Sequence, residues 1–149
     1  MTIEDATRSR IGPADAIRLP QRVEIACSAD IVTARERGRA LAGSLGFSGS
    51  DLTVIATVIS ELARNIIEYA NTGTIELEPV ERNGRPGMGI QARDEGPGIE
   101  DIASALSAGA AGGSGLGLGL SGVRRMVDEF EVASHPGQGT TVTVRKWLP

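Results

Sequence analysis

Residues 112–126 read GGSGLGLGLSGVRRM: Gly115, Gly117 and Gly119 alternate with Leu116, Leu118 and Leu120, and Arg124 and Arg125 follow. What this run is decides what the chain around it can be. A membrane span is one reading, since the 22 residues from Ile102 to Val123 carry no charge and Gly113 and Gly117 form a GxxxG. Seven of the 22 are glycine, four serine and five alanine, whereas a bilayer helix needs predominantly apolar residues over about 20 positions. A dinucleotide fingerprint is a second reading, because Gly117, Gly119 and Gly122 make a literal GxGxxG. That fingerprint follows a strand and opens a βαβ unit with an acidic residue about 20 positions on. Here it follows a helix-like segment and a small-residue loop, with too little sequence after it for the rest of that fold. A Walker A loop fails because no GK[ST] occurs and Lys146 is the sole lysine. A flexible linker would be rich in Gly and Ser without embedded leucines. The surviving reading is a phosphate-gripping loop, whose backbone N–H groups face an anion at a helix N-terminus.

The elements on either side set the fold class. AIRLPQRVEIAC (Ala16–Cys27) has strand character, with Pro20 marking an edge or bulge. Asp30 is placed to cap a helix from Ile31 to about Leu45, in which Ile31, Ala34, Gly38, Leu41 and Leu45 recur at helical spacing. GFSGSD (Gly46–Asp51) stops it and restarts the next, with Ser50 or Asp51 as N-cap. That second helix spans about Asp51 to Ala70, with Leu52, Ile55, Ile59, Leu62, Ile66 and Tyr69 as one buried stripe. TIELEPVE and GMGIQARDEG flank RNGRPG, the chemistry of a hairpin. PGIEDIASALS reads as a short helix, LSGVRRMVDEF as another, and the remainder as two strands around a Pro-Gly turn. The order β-α-α-β-β-α-α-β-β predicts a two-layer α/β sandwich, a mixed, mostly antiparallel sheet with helices on one face. Residues 1–16 read as a poorly ordered tail and 17–149 as one domain.

Composition narrows the function classes. The net charge is −4 and no basic patch is visible, which argues against general nucleic-acid binding. No membrane-surface polybasic segment occurs. A single cysteine, Cys27, excludes a disulfide framework or CxxC site and reads as a small buried hydrophobe. The one histidine, His135, precedes Pro136 in a turn, so a His-based triad lacks its parts. The N-terminus has no apolar h-region, and the expected location is cytoplasmic.

Two further stretches accompany the glycine ladder. In SELARN (Ser60–Asn65), Glu61 and Asn65 lie four residues apart and so share a helix face, with Thr57 and Glu68 extending a polar stripe off the apolar seam. A carboxylate and an amide oxygen one turn apart suit a hard cation and a base for a hydroxyl or water, although most such pairs are a solvated helix face. DEGPGI (Asp94–Ile99) closes a strand, where Gly96 and Gly98 let backbone approach a flat ligand and Asp94 can accept from an exocyclic amine. An ordinary turn would also use these residues.

SELARN, DEGPGI and GLGLGLSGVRRM, in that order, resemble the N, G1 and G2 boxes of the GHKL ATPases (gyrase, Hsp90, histidine kinase and MutL type), and GQGTTVTV resembles that family's last glycine-threonine element. From about Ile17 to Trp147 the chain is similar to the small anti-sigma-type and stressosome-switch serine kinases. The resemblance implies a Bergerat-fold ATP site. Asp94 would take the adenine amine, Gly96 and Gly98 would shape the adenine pocket and Thr140 would line it. Asn65 would coordinate Mg²⁺, and Glu61 would orient or deprotonate the attacking hydroxyl. Gly113, Gly115, Leu116, Gly117, Leu118 and Gly119 would wrap the phosphates. Arg64, about 100° round the helix from Asn65, is a weaker candidate for nucleotide or partner contact. The stretch between Ile99 and Gly115 carries no basic residue, so the lid lysine or arginine expected of such a site is missing. No histidine precedes the first helix, so the phosphate acceptor is expected on another protein, or to be water. The implied reaction is phosphorylation of a serine or threonine on a STAS-domain antagonist, with a PP2C-type phosphatase or a sigma factor as a further partner. The alternative is an anti-sigma factor that holds nucleotide as a structural ligand.

Overall fold

The computed structural model describes residues 19–99 and 119–149. Within them, strand β1 (Gln21–Ile25) leads into helices α1 (Ser28–Leu45) and α2 (Ser50–Ala70). Strands β2 (Gly73–Arg82) and β3 (Arg85–Asp94) form a hairpin, helix α3 (Gly119–Met126) follows, and β4 (Glu129–His135) and β5 (Gly139–Trp147) complete the sheet. The strand order is β1-β2-β3-β5-β4. Among the described residues every pairing is antiparallel, in line with the mostly antiparallel sheet that the sequence pattern predicts. β3 and β4 do run in the same direction, but β5 is inserted between them, so the parallel pair never forms.

The helices cover one face. Val23, Ile25, Ile75, Leu77, Met88, Ile90, Ala92, Val142 and Val144 point to them and are buried, as period-two alternation requires. The opposite face carries Glu76, Gln91, Thr143 and Arg145. Gly87 and Gly89 break the alternation by being buried on that polar side: a Cβ on Gly87 would stand 2.6 Å from the Trp147 ring. The β2–β3 turn is the two-residue Asn83-Gly84 kind expected of its sequence, with φ of 54° and 80°.

Both long helices start earlier than their sequence signals suggest. The N-cap of α1 is Cys27, and Asp30 is the third residue inside, reaching back to accept the N–H groups of Ala26 (2.8 Å) and Cys27 (3.2 Å). α2 is capped by Gly49. Cys27 itself is exposed rather than buried. Along α2, Ile55, Ile59, Leu62 and Ile66 form the expected seam, but Tyr69, in the last turn, is 54% exposed. Gly38 of α1 lets α2 approach closely, since a Cβ there would collide with Ile59 Cδ1. α3 ends at Met126, before the VDEF that sequence had assigned to it, because Asp128 is already tied to β5: its N–H donates to Arg145 O (3.0 Å) and its carboxylate accepts the Trp147 N–H (2.7 Å).

The cap at Asp30 makes a pH prediction. The Ala26 N–H, with the Cys27 groups assisting, holds the Asp30 carboxyl below its ordinary value of 3.8. A depressed folded-state value contributes stability that is present above 3.8 and lost as pH falls through the depressed value. Asp30→Ala should therefore melt below the wild type at neutral pH, and the gap should close as pH falls below 3.8. Melting curves followed by circular dichroism check this.

Candidate active site

The site gathers where the C-terminal half of α2 meets the ends of β3 and β5. Glu61 lies within α2 and is 3% exposed, which rules out for it the solvated helix face that most such pairs occupy. Its carboxylate accepts from Arg64 Nη1 at 2.8 Å. Asn65, one turn on, is half-buried, and among the described residues no hydrogen bond ties up its amide. Thr57 turns back on its own helix, donating to Thr53 O at 2.9 Å, and Glu68 is exposed, so neither joins Glu61.

Packing brings Asp94 to this helix. Gly73 is paired with Asp94 across the β2–β3 ladder, and a Cβ on Gly73 would stand 2.7 Å from Ile66 Cγ2 and 3.2 Å from Asp94 Cβ. Asp94 thus reaches the helical turn that carries Asn65 only because residue 73 has no side chain. Its Oδ1 accepts the N–H groups of Gly96 (2.9 Å) and Thr140 (3.3 Å). No described residue bonds Oδ2, which leaves one lone-pair face of the carboxylate for a donor on a ligand.

The loop after Asp94 is clasped from both sides. A Cβ on Gly96 would lie 2.6 Å from Ala70 Cβ, and one on Gly98, whose φ is +80°, would collide with His135 O. The bareness of these glycines is therefore already used against the protein itself, whatever else it offers a ligand. Pro97 O accepts the Gly137 N–H at 2.7 Å, and Ile99 N–H donates to Ser134 Oγ at 2.7 Å. Ser134, 8% exposed, also bonds Gly139 O (3.1 Å) and Thr140 Oγ1 (2.8 Å). A continuous chain of hydrogen bonds therefore runs from Ile99 through Ser134 and Thr140 to Asp94.

Ser134 was not among the sequence-derived candidates. Its signal was faint: it continues the inward phase of Phe130 and Val132 in β4, where a polar residue needs partners. Among the described residues no buried side-chain nitrogen or oxygen lacks a partner.

α3 packs against α2, burying Ser121 and Val123 and exposing Arg124 and Arg125. It begins at Gly119, with φ of 55°. Gly113, Gly115, Leu116, Gly117 and Leu118, and the short helix expected from PGIEDIASALS beyond Ile99, lie outside the described residues. Among the described residues no helix is long and apolar enough to cross a membrane.

Among the described residues the arrangement offers a buried carboxylate, an unengaged amide one turn away and a strand-end carboxylate with one face open. Residues 50–149 match the family of histidine kinase-, DNA gyrase B-, and HSP90-like ATPases. Over 126 residues the chain is 48% identical to the serine/threonine-protein kinase RsbT of Bacillus subtilis, covering 85% of this chain and 95% of that one. It is 30% identical over 115 residues to the anti-sigma F factor of Caldanaerobacter subterraneus subsp. tengcongensis, covering 73% and 79%. In fold it is similar to the SiaB-SiaC complex structure from Pseudomonas aeruginosa, with a TM-score of 0.55, 17% identity and 99% of each chain covered.

Proposed function

The chain belongs to the histidine kinase-, DNA gyrase B-, and HSP90-like ATPase family, and on that premise we propose that it is an ATP-dependent protein-serine/threonine kinase of a partner-switching module, acting in the cytoplasm as a single domain over residues 17–149. Its acceptor is a serine or threonine of a STAS-domain antagonist, and a PP2C-type phosphatase or a sigma factor is a further partner. The observation that carries the reading is the burial of Glu61 on the helix that packs against Asp94 and its loop. A surface carboxylate needs no such enclosure, whereas a base does.

Each residue has a part. Asp94, with Oδ1 fixed by two backbone N–H groups, accepts the adenine amine on Oδ2, and Thr140, Gly96 and Gly98 wall that end. Asn65 would hold Mg²⁺. The fit is chemical: a hard-oxygen donor that no hydrogen bond engages among the described residues, of the kind that suits a hard cation. Mg²⁺, when bound, supplies the charge neutralisation that phosphoryl transfer depends on. Glu61 accepts the proton of the acceptor hydroxyl as its oxygen bonds to the γ-phosphorus and ADP leaves. The Gly113–Gly119 ladder supplies backbone donors to the phosphates.

The match to an anti-sigma factor favours a second reading, in which the chain sequesters a sigma subunit. Incubation with labelled Mg-ATP and candidate STAS proteins separates the two. The expected result is phosphoserine or phosphothreonine on one of them; no transfer to any, together with tight sigma binding, would leave the anti-sigma reading standing.

A further inference from the structure

We infer that Arg64 is a positioning residue for Glu61, holding the base from the solvent side so that its carboxylate is fixed before the acceptor arrives; this rests on the kinase reading of the site. The two side chains meet at 2.8 Å, with Glu61 4% and Arg64 34% exposed. A carboxylate taken out of water without a charged partner is costly, and among the described residues Arg64 is the partner that the Glu61 carboxylate has.

The geometry of α2 leaves that role to no other member of the turn. Ser60 donates back to Ala56 O at 2.8 Å, and Leu62, Ala63 and Ile66 are in the core. Three residues along a helix is 60° short of a full rotation, which sets Arg64 at the edge where the helix emerges from the core. It also has a choice. Glu68, one turn further on, is exposed, yet the ion pair forms with Glu61. This is the favoured order, acid on the N-terminal side of the base. Among the described residues only Nη1 is engaged. A guanidinium has five N–H donors, so the others remain for an anion on the acceptor or the nucleotide. The stretch from 100 to 114 carries no lysine or arginine, and Arg93 is bonded to Gln91 at 3.1 Å. Among the described residues the ion pair that Glu61 makes is with an arginine of its own helix.

The test uses Arg64→Ala, Arg64→Lys, Glu61→Gln and the Arg64→Ala/Glu61→Gln double variant. In the ligand-free protein, Arg64→Ala should lower Tm by several degrees, and most of that drop should vanish in the Glu61→Gln background. With Mg-ATP and a STAS acceptor, Arg64→Ala should lower kcat on the order of 10-fold to 100-fold, the scale of a misplaced reacting group, with KM for ATP little changed. Arg64→Lys should recover part of the loss, and Arg64→Ala should add nothing to Glu61→Gln. Additive Tm effects, or an Arg64→Ala protein with wild-type kcat, would overturn the inference. If the wild type phosphorylates no acceptor the kinase reading falls, and the melting cycle alone then decides whether Arg64 holds Glu61.

Discussion

Glu61→Gln is expected to bind ADP as the wild type does and to transfer phosphate about 10²- to 10⁴-fold more slowly, the range that a positioned general base contributes. Glutamine keeps the size of the side chain and an oxygen for the Arg64 N–H, so the turn of α2 should survive the exchange. What it loses is the capacity to take a proton. Binding and chemistry therefore separate cleanly at this position, which a substitution at Asp94 would not achieve. Calorimetric titration with ADP, beside initial rates of acceptor phosphorylation, gives both numbers. A variant that turns over at the wild-type rate would move the base elsewhere.

Gly139→Ala is expected to damage both fold and nucleotide affinity. Gly139 has φ of +89°, and a Cβ there would collide with Asp94 O and lie 2.8 Å from Glu95 Cα. A left-handed backbone alone costs a side chain on the order of 1–3 kcal/mol. The collision adds to it by pushing β5 away from the strand end that carries Asp94. Gly84→Ala is the matched control. Its φ is +80°, but nothing lies within 4 Å of the added atom, and it sits in the β2–β3 turn. Both variants should melt lower than the wild type, and only Gly139→Ala should lose affinity for ADP. Equal affinity in the two would show that the junction of Asp94 with Gly139 does not shape the pocket.

Much of this architecture was legible in residue order because its determinants are local. The apolar seam of α2 and the Asn83-Gly84 turn are short-range codes, read at spacings of three, four and two. The place of β5 between β3 and β4 was not legible, since it depends on pairing between strands about 50 residues apart. The same divide runs through the site. Glu61, Asn65 and Asp94 stood out by residue type and spacing, and the structure brings the segments that carry them together. Ser134 and the Arg64–Glu61 pair were missed or underweighted because their importance lies in partners, not in spacing. Spacing placed Glu61 on a polar stripe off the apolar seam; of that stripe Glu61 alone is buried, while Thr57 and Asn65 are half-buried and Glu68 is exposed. Gly96 and Gly98 have a structural reason besides the one their sequence suggested, since α2 and the β4–β5 turn fill the space their side chains would occupy.

The insertion of β5 beside β3 also has a temporal consequence. Asp94 and its loop emerge from the ribosome well before residues 134–140, which supply the hydroxyl, the amide and the turn that hold them. Until then the middle of the sheet is an open edge, with Ile90 and Ala92 lacking their β5 partners. Loop closure over such a separation makes this pairing one of the slower contacts to form. A nascent chain would therefore hold Glu61 and Asn65, the proposed base and cation ligand, before the proposed adenine site around Asp94 was complete. Nucleotide would act as a ligand of the finished sheet rather than as a template for it, and chains interrupted before β5 would be unable to compete for ATP.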